Sequence, residues 1–165
     1  MLVYSAIVPH PAASIPGIGG TNVADQISQT LKAFTTIQQE LYASKPDTVI
    51  IVSPHASSRT DTLSIHQNKD CQINFKQFGD LANYFSLRTN TGLSYRLIER
   101  LETFAPVMAH EDTLIDYGSA VPLFHLLNNL RDVQVGIIGT ASEINLTQHF
   151  SFGQQLRKPL DTTNE

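Results

Sequence analysis

Thr48-Val49-Ile50-Ile51-Val52 is an unbroken β-branched run set between Pro46 and Pro54, and it constrains the fold more than any other stretch. A strand with one solvated face alternates apolar and polar residues. A run without alternation is covered on both faces, as parallel strands are when helices flank their sheet. The preceding segment supplies one such helix: Val23, Ile27, Leu31, Phe34, Ile37 and Leu41 recur at steps of four and three and line one helical face. Thr21 or Asn22 is placed to cap its start. Lys45-Pro46 ends it, because the residue before a proline disfavours the helical well. Earlier still, Leu2 to Val8 is a short apolar run closed by Pro9-His10-Pro11 and reads as a first strand. Strand, crossover helix and strand form a βαβ unit, which closes right-handed with its two strands parallel.

The rest of the chain extends this plan. Leu63 to Gln67 and Ile73 to Phe78 read as short strands about the polar Asn68-Lys69-Asp70 turn, pairing as a hairpin. Thr91 caps a second helix carrying Leu93, Leu97, Ile98, Leu101 and Phe104, stopped by Pro106. A third helix begins near Ser119 with Pro122 in its first turn, and Val133 to Ile138 forms another buried strand. A fourth helix opens through Leu146, Phe150 and Phe152 and is interrupted at Lys158-Pro159. The expected architecture is one α/β domain over 1–165: a mostly parallel central sheet with helices on both faces, three layers in all. The next strand of the alternation is not seen, so the sheet is expected to be incomplete at its C-terminus. The edge and helix surface left uncovered favour self-association as a homo-oligomer.

Charge and cysteine content narrow the function. Eleven Lys and Arg against 15 Asp and Glu give a formal net charge of -4 with no basic stripe, which argues against nucleic acid as partner. The single cysteine, Cys71, excludes an internal disulfide and any multi-thiolate zinc site. It fits a reducing, cytoplasmic setting. No stretch approaches the roughly 18 apolar residues of a membrane helix, and the amino terminus lacks the leading basic residues of a signal peptide. Gly17-Ile18-Gly19-Gly20 precedes a helix without matching a phosphate-binding loop, since Asn22 stands where the dinucleotide fingerprint needs glycine and no Lys-Ser/Thr pair follows.

The residues best placed for chemistry are His10 and His55. Each follows the carboxyl end of an expected parallel strand, where ligands bind in open α/β sheets, and each adjoins proline. Strands about 4.8 Å apart can bring two such side chains onto one ion. Two neutral imidazoles with one carboxylate hold non-haem Fe(II) and leave positions open, so a carboxylate is sought among Glu111, Asp112, Asp116 and Glu143. Each of these also reads as a helix cap or a solvated loop charge. His66 and His125 read as surface or satisfied packing residues, and His149 precedes the expected next strand. His110, before Glu111-Asp112, is a candidate for the pocket.

Three segments, Ile7-Val8-Pro9-His10-Pro11, Lys45 to His55, and Asp116-Tyr117-Gly118-Ser119-Ala120-Val121-Pro122-Leu123, together resemble the class III extradiol ring-cleaving dioxygenases. That superfamily includes the catalytic B subunit of protocatechuate 4,5-dioxygenase, the DOPA extradiol dioxygenases and the Memo-like proteins. The resemblance implies that His10 and His55 are ferrous-iron ligands, that the substrate is a small aromatic diol cleaved with dioxygen, and that Asp116 and Tyr117 border the substrate pocket, to which the position of His110 adds a further candidate. Two departures stand out. Tyr117 occupies the place where the family often has histidine, and a phenol with an ordinary pKa near 10 is a poor base at neutral pH. The Gly-Asp-Leu-Ser-His motif and the later glutamate ligand of the family are not found in this sequence. Two functions follow as expectations: a ring-cleaving dioxygenase with impaired or no activity as an isolated chain, or a Memo-like metal-binding or interaction module.

Overall fold

The computed structural model describes residues 1–161 other than 57, 58, 128, 129 and 131. In chain order the elements are α1 (Thr21–Gln26), α2 (Ser28–Ser44), β1 (Thr48–Ser53), β2 (Leu63–His66), β3 (Asp70–Phe75), β4 (Asp80–Arg88), α3 (Thr91–Leu101), β5 (Val107–His110), α4 (Tyr117–Leu127), β6 (Gln134–Gly139) and α5 (Leu146–Asp161). The main sheet has the order β1-β6-β2-β5. β1 pairs with β6 and β2 with β5 in parallel, and the two halves join through an antiparallel contact of Ser64 and Ile65 with Gly139 and Ile138.

Period-two alternation divides the core between the two sheet faces. On β6, Val135 and Ile137 join the cluster formed with Phe34 and Leu41 of α2 and with Val121 and Leu123 of α4, whereas Ile138 joins the opposite cluster. That second cluster packs Leu63 and Ile65 of β2 against Leu93, Leu97 and Leu101 of α3 and Phe152 of α5. Helices therefore cover both faces and the fold is α/β in three layers, with a mixed, mostly parallel sheet.

Several sequence expectations are corrected. Residues 1–10 form no strand, so the first βαβ unit is not closed. This segment is held by side chains instead: the Tyr4 hydroxyl donates to Glu40 Oε2 at 2.7 Å, and Tyr4 and Val8 pack on the core. Between it and β1 lies a groove of about 910 Å³. β1 is consequently an edge strand among the described residues. Val49 and Ile51 pack to one side and Ile50 to the other, as an unalternating run requires, but Val52 is 51% exposed.

The expected single helix over Val23 to Leu41 is split at Ile27, whose backbone (φ -103, ψ 11) leaves the helical well. Its start is capped by position at Gly20 without a side-chain bond, and its end falls at Lys45 in the left-handed region (φ 48), directly before Pro46. No hairpin joins the strands flanking Asn68-Lys69-Asp70. β2 enters the main sheet, while β3 pairs antiparallel with β4 through a turn at Gly79 (φ 84). α4 begins at Tyr117, so Pro122 lies inside the helix and not in its first turn. α5 runs on through Lys158-Pro159 to Asp161.

Asn90, not Thr91, caps α3. Its Oδ1 accepts from Leu93 N at 3.0 Å while its Nδ2 donates to Thr48 Oγ1 at 2.9 Å, tying the helix to the start of β1. Asn90→Ala removes both bonds and should lower stability by about 1–2 kcal/mol in urea unfolding. Asn90→Asp keeps the cap oxygen and should recover part of that loss. Equal midpoints for wild type and the alanine variant would show that the cap contributes nothing.

Candidate functional site

His10 and His55 meet. Their Nε2 atoms are 3.1 Å apart and the rings stand edge to face with centroids 4.9 Å apart. His55 is exposed and His10 half-buried, so the facing nitrogens are open to solvent. The meeting does not require a first strand: Pro9 and Pro11 stiffen the loop that presents His10, and the turn after β1 presents His55.

That turn is built from short polar bonds. Ser53, 2% exposed at the end of β1, accepts from the His55 backbone N–H at 3.1 Å and donates its own hydroxyl proton to Asp116 Oδ1 at 3.0 Å. Ser64 Oγ donates to Ala56 O at 3.0 Å from the start of β2. Asp116 is the N-cap of α4: Oδ1 also accepts from Ser119 N at 2.9 Å, and Oδ2 accepts from Ser119 Oγ at 2.6 Å. Its carboxylate is thus occupied in joining α4 to β1, and it orients His55 through Ser53.

Tyr117 follows and covers the pair. Its ring lies 4.8 Å from that of His55 and 5.8 Å from that of His10, its hydroxyl is 3.5 Å from His55 Nε2, and Phe78 meets it edge-on at 5.6 Å. Gly118 comes next because nothing larger fits. A Cβ there would stand 2.6 Å from His55 Cδ2 and 3.0 Å from both Asp116 Oδ1 and Ser53 Oγ. His10 and Gly118 also line the groove beside β1, together with Val49, Ile51, Pro122 and Leu126, so His10 borders a largely apolar space.

The other candidates lie elsewhere. His110 ends β5, which runs antiparallel to β1, so its strand points away from the His55 edge. It pairs with Asp112 Oδ2 at 3.3 Å and faces His66 across the strands at 5.5 Å between ring centroids. His66 is 3% exposed, and its Nε2 has no hydrogen-bond partner. Burial, with the neighbouring His110 adding to it, pushes its pKa down to about 4. Glu111 and Glu143 are exposed, and His149 Nδ1 lies 3.2 Å from Asn145 O in its own helix. Among the described residues no cluster of three or more His, Cys, Asp or Glu is arranged to hold a metal.

Two nitrogens bound at right angles to a first-row ion at about 2.1 Å stand about 3.0 Å apart. The His10–His55 separation of 3.1 Å fits that spacing, so the two residues suit a metal as a pair. Sequence reasoning reaches this pair and Tyr117. It misses Phe78, which carries no local signal, and Gly118, whose role rests on a distance across 63 residues to His55.

The chain is 25% identical over 169 residues to Protein CA_C1420 of Clostridium acetobutylicum, an alignment covering 96% of this chain and 36% of that protein. The chain thus spans about a third of that relative's length. Among solved structures, a putative methylthioadenosine nucleosidase from Weissella paramesenteroides is similar at TM-score 0.44 and 16% identity, over 78% of this chain and 73% of that one. A futalosine hydrolase mutant of Helicobacter pylori is similar at TM-score 0.48 and 11% identity, over 78% and 72% of the respective chains. Likenesses this remote bear on nothing further. Residues 4–165 match the family described as the catalytic LigB subunit of aromatic ring-opening dioxygenase, and to that family the chain belongs.

Proposed function

We propose that the chain provides the two-histidine part of a non-haem Fe(II) centre and that the groove beside it receives a small aromatic diol. The observation that carries this is the convergence of His10 and His55 Nε2 at 3.1 Å in a chain of this family. Ferrous iron held by His10 and His55 would, by family resemblance, supply the redox and Lewis-acid chemistry for a catechol and dioxygen. The chain's own residues do the rest: the Nε2 atoms of His10 and His55 face one another as the donor pair, and Tyr117 sets its hydroxyl against His55. Phe78 backs the phenol ring, and Asp116 with Ser53 fixes the backbone of His55. Pro122 and Leu126 give the groove apolar walls suited to an aromatic ring.

The test loads the protein anaerobically with Fe(II) and follows uptake by calorimetry, then adds catechols and oxygen. Wild type is expected to bind Fe(II), and a His10→Ala, His55→Ala double variant is expected to lose that binding; equal uptake by both removes these residues from the site. A second reading is favoured by one observation, that no third metal-ligating side chain joins the pair among the described residues. On it the chain is a Memo-like metal-binding or interaction module. Fe(II) uptake followed by oxygen consumption and the yellow ring-opened product would exclude that reading.

A further inference from the structure

From sequence His125 reads as a surface or satisfied packing residue, yet its ring is bonded into the loop that presents His10. His125 Nε2 lies 2.9 Å from Ser14 Oγ, and Ser14 Oγ donates to the carbonyl of Pro11 at 2.7 Å. Since the single serine proton goes to Pro11, the imidazole must be the donor, which assigns the proton to Nε2. Ser14 also donates its backbone N–H to Pro11 O at 2.9 Å, closing the turn Ala12–Ser14 directly after His10-Pro11. Ser14 is 5% exposed, so the pair of bonds is sheltered from water. Phe34 of α2 stacks on His125 at 4.5 Å with planes 21° apart, and Phe124 meets it edge-on, which fixes the plane of the ring.

We infer that His125 is a positioning residue for His10: through Ser14 it holds the Pro11 carbonyl, and with it the loop that keeps the His10 imidazole facing His55. α4 then governs both histidines. Its N-terminal end meets His55 through Asp116 and Gly118, and its last turn reaches the loop after His10 through Ser14. Burial holds His125 below the ordinary histidine range, only partly offset by the bond to Ser14, so the ring is neutral at pH 7 and acts as a fixed donor rather than a charge. The inference concerns the same histidine pair as the proposed metal reading, but the geometry it predicts exists without metal.

Two measurements on wild type, His125→Phe and His125→Gln separate the cases. Phenylalanine keeps the stack on Phe34 and removes the donor, while the glutamine amide restores an N–H toward Ser14. In metal-free protein, the His10 imidazole resonances in NMR spectra are expected to shift or broaden in the phenylalanine variant and return in the glutamine variant. In the second measurement Co(II) serves as the probe ion, and its affinity is expected to fall about tenfold in His125→Phe, with most of the loss recovered in His125→Gln. The metal-free melting temperature of the phenylalanine variant is not expected to track that loss. Unchanged His10 resonances in His125→Phe, or Co(II) binding within twofold of wild type, would overturn the inference. If His10→Ala leaves Co(II) binding intact, the metal reading fails, and the metal-free resonances still decide the role of His125.

Discussion

Gly118→Ala should reduce divalent-metal uptake to the level of a His55→Ala variant while leaving the protein folded. The added methyl would stand 2.6 Å from His55 Cδ2, closer than carbon atoms tolerate, and 3.0 Å from two oxygens of the bonds that hold the turn. The backbone at Gly118 is ordinary helix, so the whole effect is steric. The ring must shift from its place opposite His10, and the Ser53–Asp116 bond is crowded with it. Overpacking of this kind costs about 1–3 kcal/mol, which urea unfolding would read directly. Calorimetric Fe(II) titration would read the displacement of the ring. A variant that binds Fe(II) as wild type does would show that the His55 ring relocates without losing its orientation.

Stability should fall as the solution is acidified from about pH 6.5 towards pH 4, and His66→Leu should flatten that fall. The folded-state pKa of His66 is depressed from 6.5 to about 4, with burial the main cause and His110 the next. Between these values the unfolded chain takes up a proton that the folded chain refuses, so the contribution is present above the ordinary histidine range. It is lost as pH falls towards the folded value. The slope from this one group is at most about 1.4 kcal/mol per pH unit. Leucine also removes the buried Nε2 that has no partner, a group whose desolvation costs about 1–3 kcal/mol, so the variant should be the more stable protein at pH 5. Urea midpoints at pH 7 and pH 5 check both statements, and parallel pH dependence in the two proteins would exclude His66 as the source.

Helix faces and the strands β1 and β6 are legible because their signal is local. Leu93, Leu97 and Leu101 fall on one side of α3, and an unalternating run such as Thr48 to Val52 has apolar residues for both sheet faces whichever neighbours it acquires. Residues 1–10 were not legible, since an apolar run shows that a segment seeks cover and not whether it finds a strand partner. β4 escaped notice for a related reason: Leu81 and Tyr84 are exposed and Asn83 and Ser86 interrupt the apolar pattern, so only pairing with β3 makes it a strand. At the site, prolines beside His10 and His55 marked two stiff loops. The antiparallel join of β6 to β2, which turns His110 away, and the reach of His125 to Ser14 depend on tertiary neighbours that no short window of sequence contains.

Pro122 has no N–H, so the carbonyl of Gly118 one turn earlier has no helical donor and α4 lacks one rung of its ladder. The missing rung lies between the turn that touches His55 and the turn that carries His125. The helix therefore has a joint at the point where it passes from one histidine's support to the other's. Its two parts can tilt relative to each other at lower energetic cost than an unbroken helix would require.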